Sequence, residues 1–178
     1  MESFNELKLN KKTLNAIDNI HFKKPTHTQE LVLPVALENK NLACKGKTGS
    51  GKTHCFLIPI ANKIDENIKQ LQALILVPTR ELAVQITQRC KEFFEDYDIK
   101  IACLTGGVDT LREKNRITTT PQILIGTPEK ICDIVIDNGL VNLSTVKTFV
   151  IDEADMTLEM GFLNEVDRIA SLCKNSQM

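Results

Sequence analysis

Gly46-Lys47-Thr48-Gly49-Ser50-Gly51-Lys52-Thr53 has the spacing G-x-x-x-x-G-K-[ST] of a phosphate-binding loop. Glycines let the backbone curl round an anion so that several N–H groups converge on it. A helix opening directly after the loop adds unpaired donors and the positive end of its dipole. In such a loop Lys47, Thr48, Gly49, Ser50 and Gly51 wrap the phosphates. Lys52 brings a mobile charge to the β- and γ-phosphates, and the Thr53 hydroxyl is placed to ligate Mg²⁺. Far downstream, the apolar run Thr148-Phe149-Val150-Ile151 ends in Asp152-Glu153. Asp152, at a strand end, is expected to hold Mg²⁺ through water. Glu153 is then placed to orient and deprotonate an attacking water. The chemistry these residues can do together is metal-assisted hydrolysis of a nucleoside triphosphate.

These groups need a scaffold that brings them to one place. Apolar runs at 41–44, 71–77, 99–104, 122–125 and 148–151 read as strands. Between them lie helical periods: 26–38, opened by Pro25 and interrupted by Pro34; the stretch after the loop through Phe56, Leu57 and Ile60; and a helix with Leu82, Ile86, Cys90 and Phe93 on one face. Further on come a polar helix over 109–117 and a helix carrying Ile131, Ile134 and Val135. A last helical stretch is broken at Met160-Gly161. The helix 26–38 is expected to bury Leu31, Val32, Val35, Ala36 and Leu37. Alternating strands and helices predict an α/β fold, a parallel sheet covered by helices on both faces. In such sheets ligands bind beyond the carboxyl ends of the strands. The phosphate loop, 78–82, 105–107, 126–130 and 152–155 all fall at such ends.

Composition sets the outer bounds. The 178 residues are enough for one domain of this kind, 42% hydrophobic and 25% charged, with a formal net charge of −1. No global basic excess exists, so any nucleic-acid site is a local patch. The six cysteines are scattered without C-x-x-C spacing and read as reduced, mostly buried thiols, Cys44 among them as a small core residue. With no apolar run of membrane-spanning length and no signal-peptide core, a cytoplasmic location is expected. His54, directly after the loop, reads as a helix residue rather than a catalytic one.

Asp152-Glu153-Ala154-Asp155 spells D-E-A-D, and from Phe22 onward the chain resembles the first RecA-like domain of a DEAD-box ATP-dependent RNA helicase. Phe22 to Gln29 resembles the Q motif, Gly46 to Thr53 motif I, Pro78 to Leu82 motif Ia, Gly106-Gly107 the paired-glycine element, and Thr127-Pro128 the start of T-P-G-R. The resemblance implies a three-layer RecA-like P-loop fold over 22–178, preceded by a flank of one or two helices over 1–21. It implies ATP and Mg²⁺ as cofactors, Gln29 reading the adenine edge, Phe22 packed on the base, and Thr26 supporting the loop. It also implies backbone contacts to single-stranded or duplex RNA from Pro78, Thr79, Arg80, Gly106, Gly107, Thr127, Pro128 and Lys130, without base readout. Asp155 would couple this domain to a second RecA-like domain, expected beyond Met178 together with an S-A-T strand. On this reading the chain is a truncated first domain that binds nucleotide with little or no turnover, within a protein that remodels RNA duplexes. The other readings are a DNA translocase of the same superfamily and an inactive nucleotide-binding module. Glu129-Lys130 stands where the family has Gly-Arg: a carboxylate beside phosphate repels, and Lys130 lacks the bidentate fork.

Overall fold

Four of the five apolar runs form strands in the computed structural model, which describes residues 1–106, 115 and 117–178. They are β1 (Ala73–Leu76), β2 (Ile101–Leu104), β3 (Ile123–Gly126) and β4 (Thr148–Ile151). All pair in parallel, in the spatial order β2-β3-β1-β4. The register aligns Leu76 with both Gly126 and Ile151, and Leu104 with Gly126. The four strands therefore end in one row, and whatever follows each of them emerges along one edge. That edge positions the site.

Side chains alternate across the sheet, and both faces are covered. Ala73, Ile75, Ile123 and Ile125 join one core with α1 (Lys11–Asn19), α2 (His27–Leu37), α3 (Lys52–Lys63) and α4 (Arg80–Phe93). Leu74, Leu76, Leu104, Leu124 and Phe149 join a second core. Its cover comes from a π-helical stretch, Ile131–Ile136, and the last helix of the chain. That end of the chain comprises α5 (Ala154–Glu159) and α6 (Leu163–Leu172), separated at Gly161, whose φ of 88° breaks the helix as expected. Burial on both faces explains why β1 and β3 are apolar at every position. In the segment 1–21, a 3₁₀ turn at Phe4–Glu6 and α1 send Phe4, Ala16 and Ile17 into the first core.

Three expectations fail. The segment 41–44 is not a strand, and Cys44 is exposed rather than a core residue. The segment lies one strand-width from β4, with Gln177 and Met178 between them: Leu42 N–H donates to the Met178 carbonyl at 2.9 Å and Phe149 N–H to the Gln177 carbonyl at 2.8 Å. A cavity of about 500 Å³ lies between Ala43 and Cys44 on one side and Val150 and Ile151 on the other, so among the described residues these positions have no ladder partner. In α2 the buried set is Gln29, Leu33 and Ala36, while Leu31 is 63% exposed and Val35 39%. The cap at Thr26 turns Gln29 inward and so sets the buried face. The helix expected over 109–117 is not among these failures, since it falls largely outside the described residues.

Candidate nucleotide-binding site

The loop between Gly46 and Thr53 takes its shape from two left-handed glycines, Gly49 at φ 80° and Gly51 at φ 90°. It leads directly into α3, whose first turn presents free N–H groups. The Lys52 ammonium folds back onto the loop, donating to the carbonyls of Gly46 at 2.6 Å and Lys47 at 3.3 Å. The Ser50 hydroxyl is buried without a hydrogen-bond partner. A methyl group at Gly46 would lie 2.9 Å from that hydroxyl. A cradle of close backbone with an orphaned polar group inside it fits a polyanionic ligand.

Thr26 and Gln29 brace this loop from α2. Thr26 caps the helix, accepting from Gln29 N–H at 3.3 Å, and its hydroxyl donates to the Ser50 carbonyl at 2.8 Å. Gln29 completes a capping box: its Oε1 accepts from Thr26 N–H at 3.0 Å, and its Nε2 donates to the Gly51 carbonyl at 3.2 Å. Gln29 is fully buried. Its amide faces the phosphate loop, so in this state it acts as a strut.

Asp152 and Glu153 follow β4 at the same edge. Asp152 N–H continues the ladder to the Leu76 carbonyl at 2.9 Å, and its carboxylate accepts from Glu153 N–H at 3.1 Å. Burial, then the neighbouring Glu153, pushes the Asp152 pKa up, against the fields of Lys52 and Arg89. A half-buried carboxylate held in this way suits a divalent cation. The residues present fit Mg²⁺: Asp152 and Thr53 would hold it, and it would neutralise phosphate charge and polarise the bond to be cleaved. Glu153 adopts the left-handed region at φ 48°, uncommon for a residue with a side chain, and so turns the chain sharply at the strand end. Gly46, Lys52, Asp152, Glu153 and Asp155 all border the 500 Å³ cavity. Asp155 is exposed, and its carboxylate accepts from Met156 N–H at 3.0 Å.

The expected RNA elements line the same row of strand ends. Pro78 is buried, Thr79 caps α4 by accepting from Leu82 N–H at 3.3 Å, and Arg80 is exposed. Thr127 is buried and Pro128 opens the next helical turn. Gly106 has φ 70°, and a methyl group there would lie 2.7 Å from Lys130 Cε. Lys130 therefore lies across Gly106, and its ammonium pairs with Asp133 at 3.0 Å. Gly107 lies outside the described residues.

The family model for DEAD/DEAH box helicases matches residues 26–178. This chain belongs to that family. It is 41% identical over 157 residues to the DEAD-box ATP-dependent RNA helicase CshB of Listeria monocytogenes, covering 87% of this chain and 36% of that one. It is 39% identical over 176 residues to a probable ATP-dependent RNA helicase of Methanocaldococcus jannaschii, covering 98% and 47%. The fold matches the crystal structure of a DEAD box protein from Methanococcus jannaschii with a TM-score of 0.91 at 40% identity, over 98% of this chain and 48% of that one. It also matches Saccharomyces cerevisiae Dbp5 bound to RNA and ADP BeF3, with a TM-score of 0.87 at 29% identity, over 99% and 45%. The chain thus spans about a third to a half of the length of these relatives, and its fold is the RecA-like fold of DEAD-box proteins.

Two features of this DEAD-box domain escape its sequence motifs. Arg89, on α4, donates from Nη1 to the Thr53 hydroxyl at 2.9 Å. His54 sits between Phe22 and Phe93, with ring centroids 4.6 and 5.6 Å away. It thereby links Phe22 to Phe93, both of which pack in or against the first core. Burial, with Arg89 nearby, pushes the His54 pKa down to about 4. Because the folded value lies below the ordinary 6.5, the unfolded chain takes up the proton first on acidification. Stability present above pH 6.5 is therefore lost as pH falls toward 4, by on the order of 2 kcal/mol from this group. The urea midpoint of the DEAD-box domain is expected to drop between pH 7 and 5, and His54→Gln to flatten that drop. An unchanged slope in the variant would assign the acid sensitivity elsewhere.

Proposed function

We propose that this chain is the ATP-binding part of an RNA helicase that couples ATP binding and hydrolysis to local opening or remodelling of RNA duplexes. The observation that carries the reading is the single row of strand ends, which puts the phosphate loop's partner carboxylates and the helix starts at Thr79 and Thr127 on one edge. Lys52 takes the phosphates, Thr53 and Asp152 hold Mg²⁺, and Glu153 positions and deprotonates water. Phe22 and Gln29 favour adenine, with Gln29 turning from the Gly51 carbonyl to the base. The relatives extend over roughly twice this length or more, so the 178 residues hold nucleotide with little or no turnover of their own. A second RecA-like domain completes the site, with Asp155 as a coupling point. The thiols, all unbridged, suit a cytoplasmic protein.

RNA lies along Pro78, Thr79, Arg80, Gly106, Gly107, Thr127, Pro128 and Lys130 and is held through its sugar-phosphate backbone. Because Lys130 is neutralised by Asp133 and flanked by Glu129, Arg80 carries most of the side-chain charge here. Fluorescence anisotropy with short single-stranded RNAs tests this. Arg80→Ala is expected to weaken binding about five- to tenfold equally across sequences and to lower the salt slope by about 1. Lys130→Ala should change affinity less than twofold, by roughly the small worth of an exposed ion pair. A loss confined to some sequences, or none, would refute the backbone track. Equal affinity for DNA of the same sequence would favour a DNA translocase.

A further inference from the structure

We propose that Arg89 is a positioning residue that occupies the metal face of Thr53, so that a divalent cation must displace it, coupling metal loading of the phosphate site to helix α4. The inference rests on the assignment of Thr53 as a metal ligand.

The Thr53 side chain is only 8% exposed, and its hydroxyl accepts from Arg89 Nη1 at 2.9 Å. The guanidinium is not committed elsewhere: among the described residues no carboxylate lies within 4 Å of it. A hydroxyl that ligates a divalent cation gives it a lone pair. The same oxygen would then carry a guanidinium and a metal ion side by side, two positive charges in a half-buried site where screening is weak. One of them has to leave. Arg89 can, because it projects from the exposed face of α4.

Arg89 thus holds the hydroxyl oxygen that the metal ion would take. The helix that carries Arg89 begins at Arg80, nine residues earlier or about 13 Å along the axis. A small shift of α4 at the RNA edge therefore alters the hold on Thr53.

The test is binding of a fluorescent ADP analogue to the chain, to Arg89→Gln and to Arg89→Lys, each with Mg²⁺ and with EDTA. The quantity read is the ratio of the two affinities within each protein, which a general structural defect leaves unchanged. Removing a charge-assisted hydrogen bond that competes with the metal is expected to raise this ratio about tenfold in Arg89→Gln. Arg89→Lys should fall between it and the parent, since the charge remains while the planar fork is lost. A ratio unchanged or lowered in Arg89→Gln overturns the proposal while the metal assignment stands. If the parent chain itself gains nothing from Mg²⁺, Thr53 is not a metal ligand, and both fall together.

Discussion

Lys52→Ala is expected to weaken binding of ADP or ATP about a hundredfold, with the fold intact. The Lys52 ammonium is the loop cation folded back onto the phosphate cradle, and among the described residues it donates to two loop carbonyls, Gly46 at 2.6 Å and Lys47 at 3.3 Å. Those carbonyls belong to a surface turn and can turn to water when the ammonium is gone, so the urea midpoint should move little. A phosphate has no such alternative. Loss of one or two charge-assisted hydrogen bonds costs about 3 kcal/mol, which is the hundredfold. Lys52→Arg keeps the charge but brings a wider, planar group, and should recover part of the affinity. Isothermal titration with Mg²⁺ and ADP separates the cases. Affinity within threefold of the parent in Lys52→Ala would mean that the loop only reverses the chain.

Gly51→Ala should damage both stability and binding. At φ 90° a Cβ costs about 1–2 kcal/mol in backbone strain alone. The added methyl would also lie 2.7 Å from Gln29 Nε2 and 2.9 Å from Thr26 Oγ1. Neither atom sits at the end of a free side chain. Gln29 is wholly buried, and both are tied into the capping box that holds α2 against the loop. Either the methyl expels Gln29 from the Gly51 carbonyl or the loop moves off α2. Both routes lose part-buried hydrogen bonds, worth about 1–3 kcal/mol each when the buried Gln29 amide is stranded. A total destabilisation of about 3 kcal/mol and at least a tenfold loss of ADP affinity are expected from urea titration and calorimetry. Gly49→Ala makes the contrast: its φ is similarly left-handed, but an added methyl there meets nothing within 4 Å, so only the strain should register. Equal effects at the two positions would show that the brace from α2 contributes nothing.

The difference between these glycines is invisible in the sequence, where both are loop residues. What was legible there is chemistry carried by contiguous residues: the phosphate loop, the carboxylates after β4, and the four strands whose apolar runs record burial on both faces. Parallel pairing and the common edge followed from the alternation of strands and helices. The segment 41–44 is not a strand because a strand is defined by its neighbours, and among the described residues this one has a single backbone ladder bond, from Leu42 N–H to the Met178 carbonyl. The α2 face was misread because periodicity assigns apolar residues to the core, whereas the capping box had already turned Gln29 inward. The spacing Thr26-x-x-Gln29 carried that signal. Arg89 gave none: a polar helix residue looks solvated until the fold brings it to Thr53, thirty-six positions away. The same holds for His54, an unremarkable loop neighbour that proves to sit between Phe22 and Phe93.

On this reading one edge of the sheet holds a nucleotide between the α2 brace, the phosphate loop and the β4 carboxylates. Amide chemical-shift mapping of the ¹⁵N-labelled chain during titration with ADP and Mg²⁺ tests it most directly. Saturable shifts are expected to centre on Gly46 to Thr53, with Thr26, Gln29, Asp152 and Glu153 moving in step and the opposite ends of the strands silent. Saturation with shifts centred elsewhere, or no shifts at millimolar nucleotide, would contradict it.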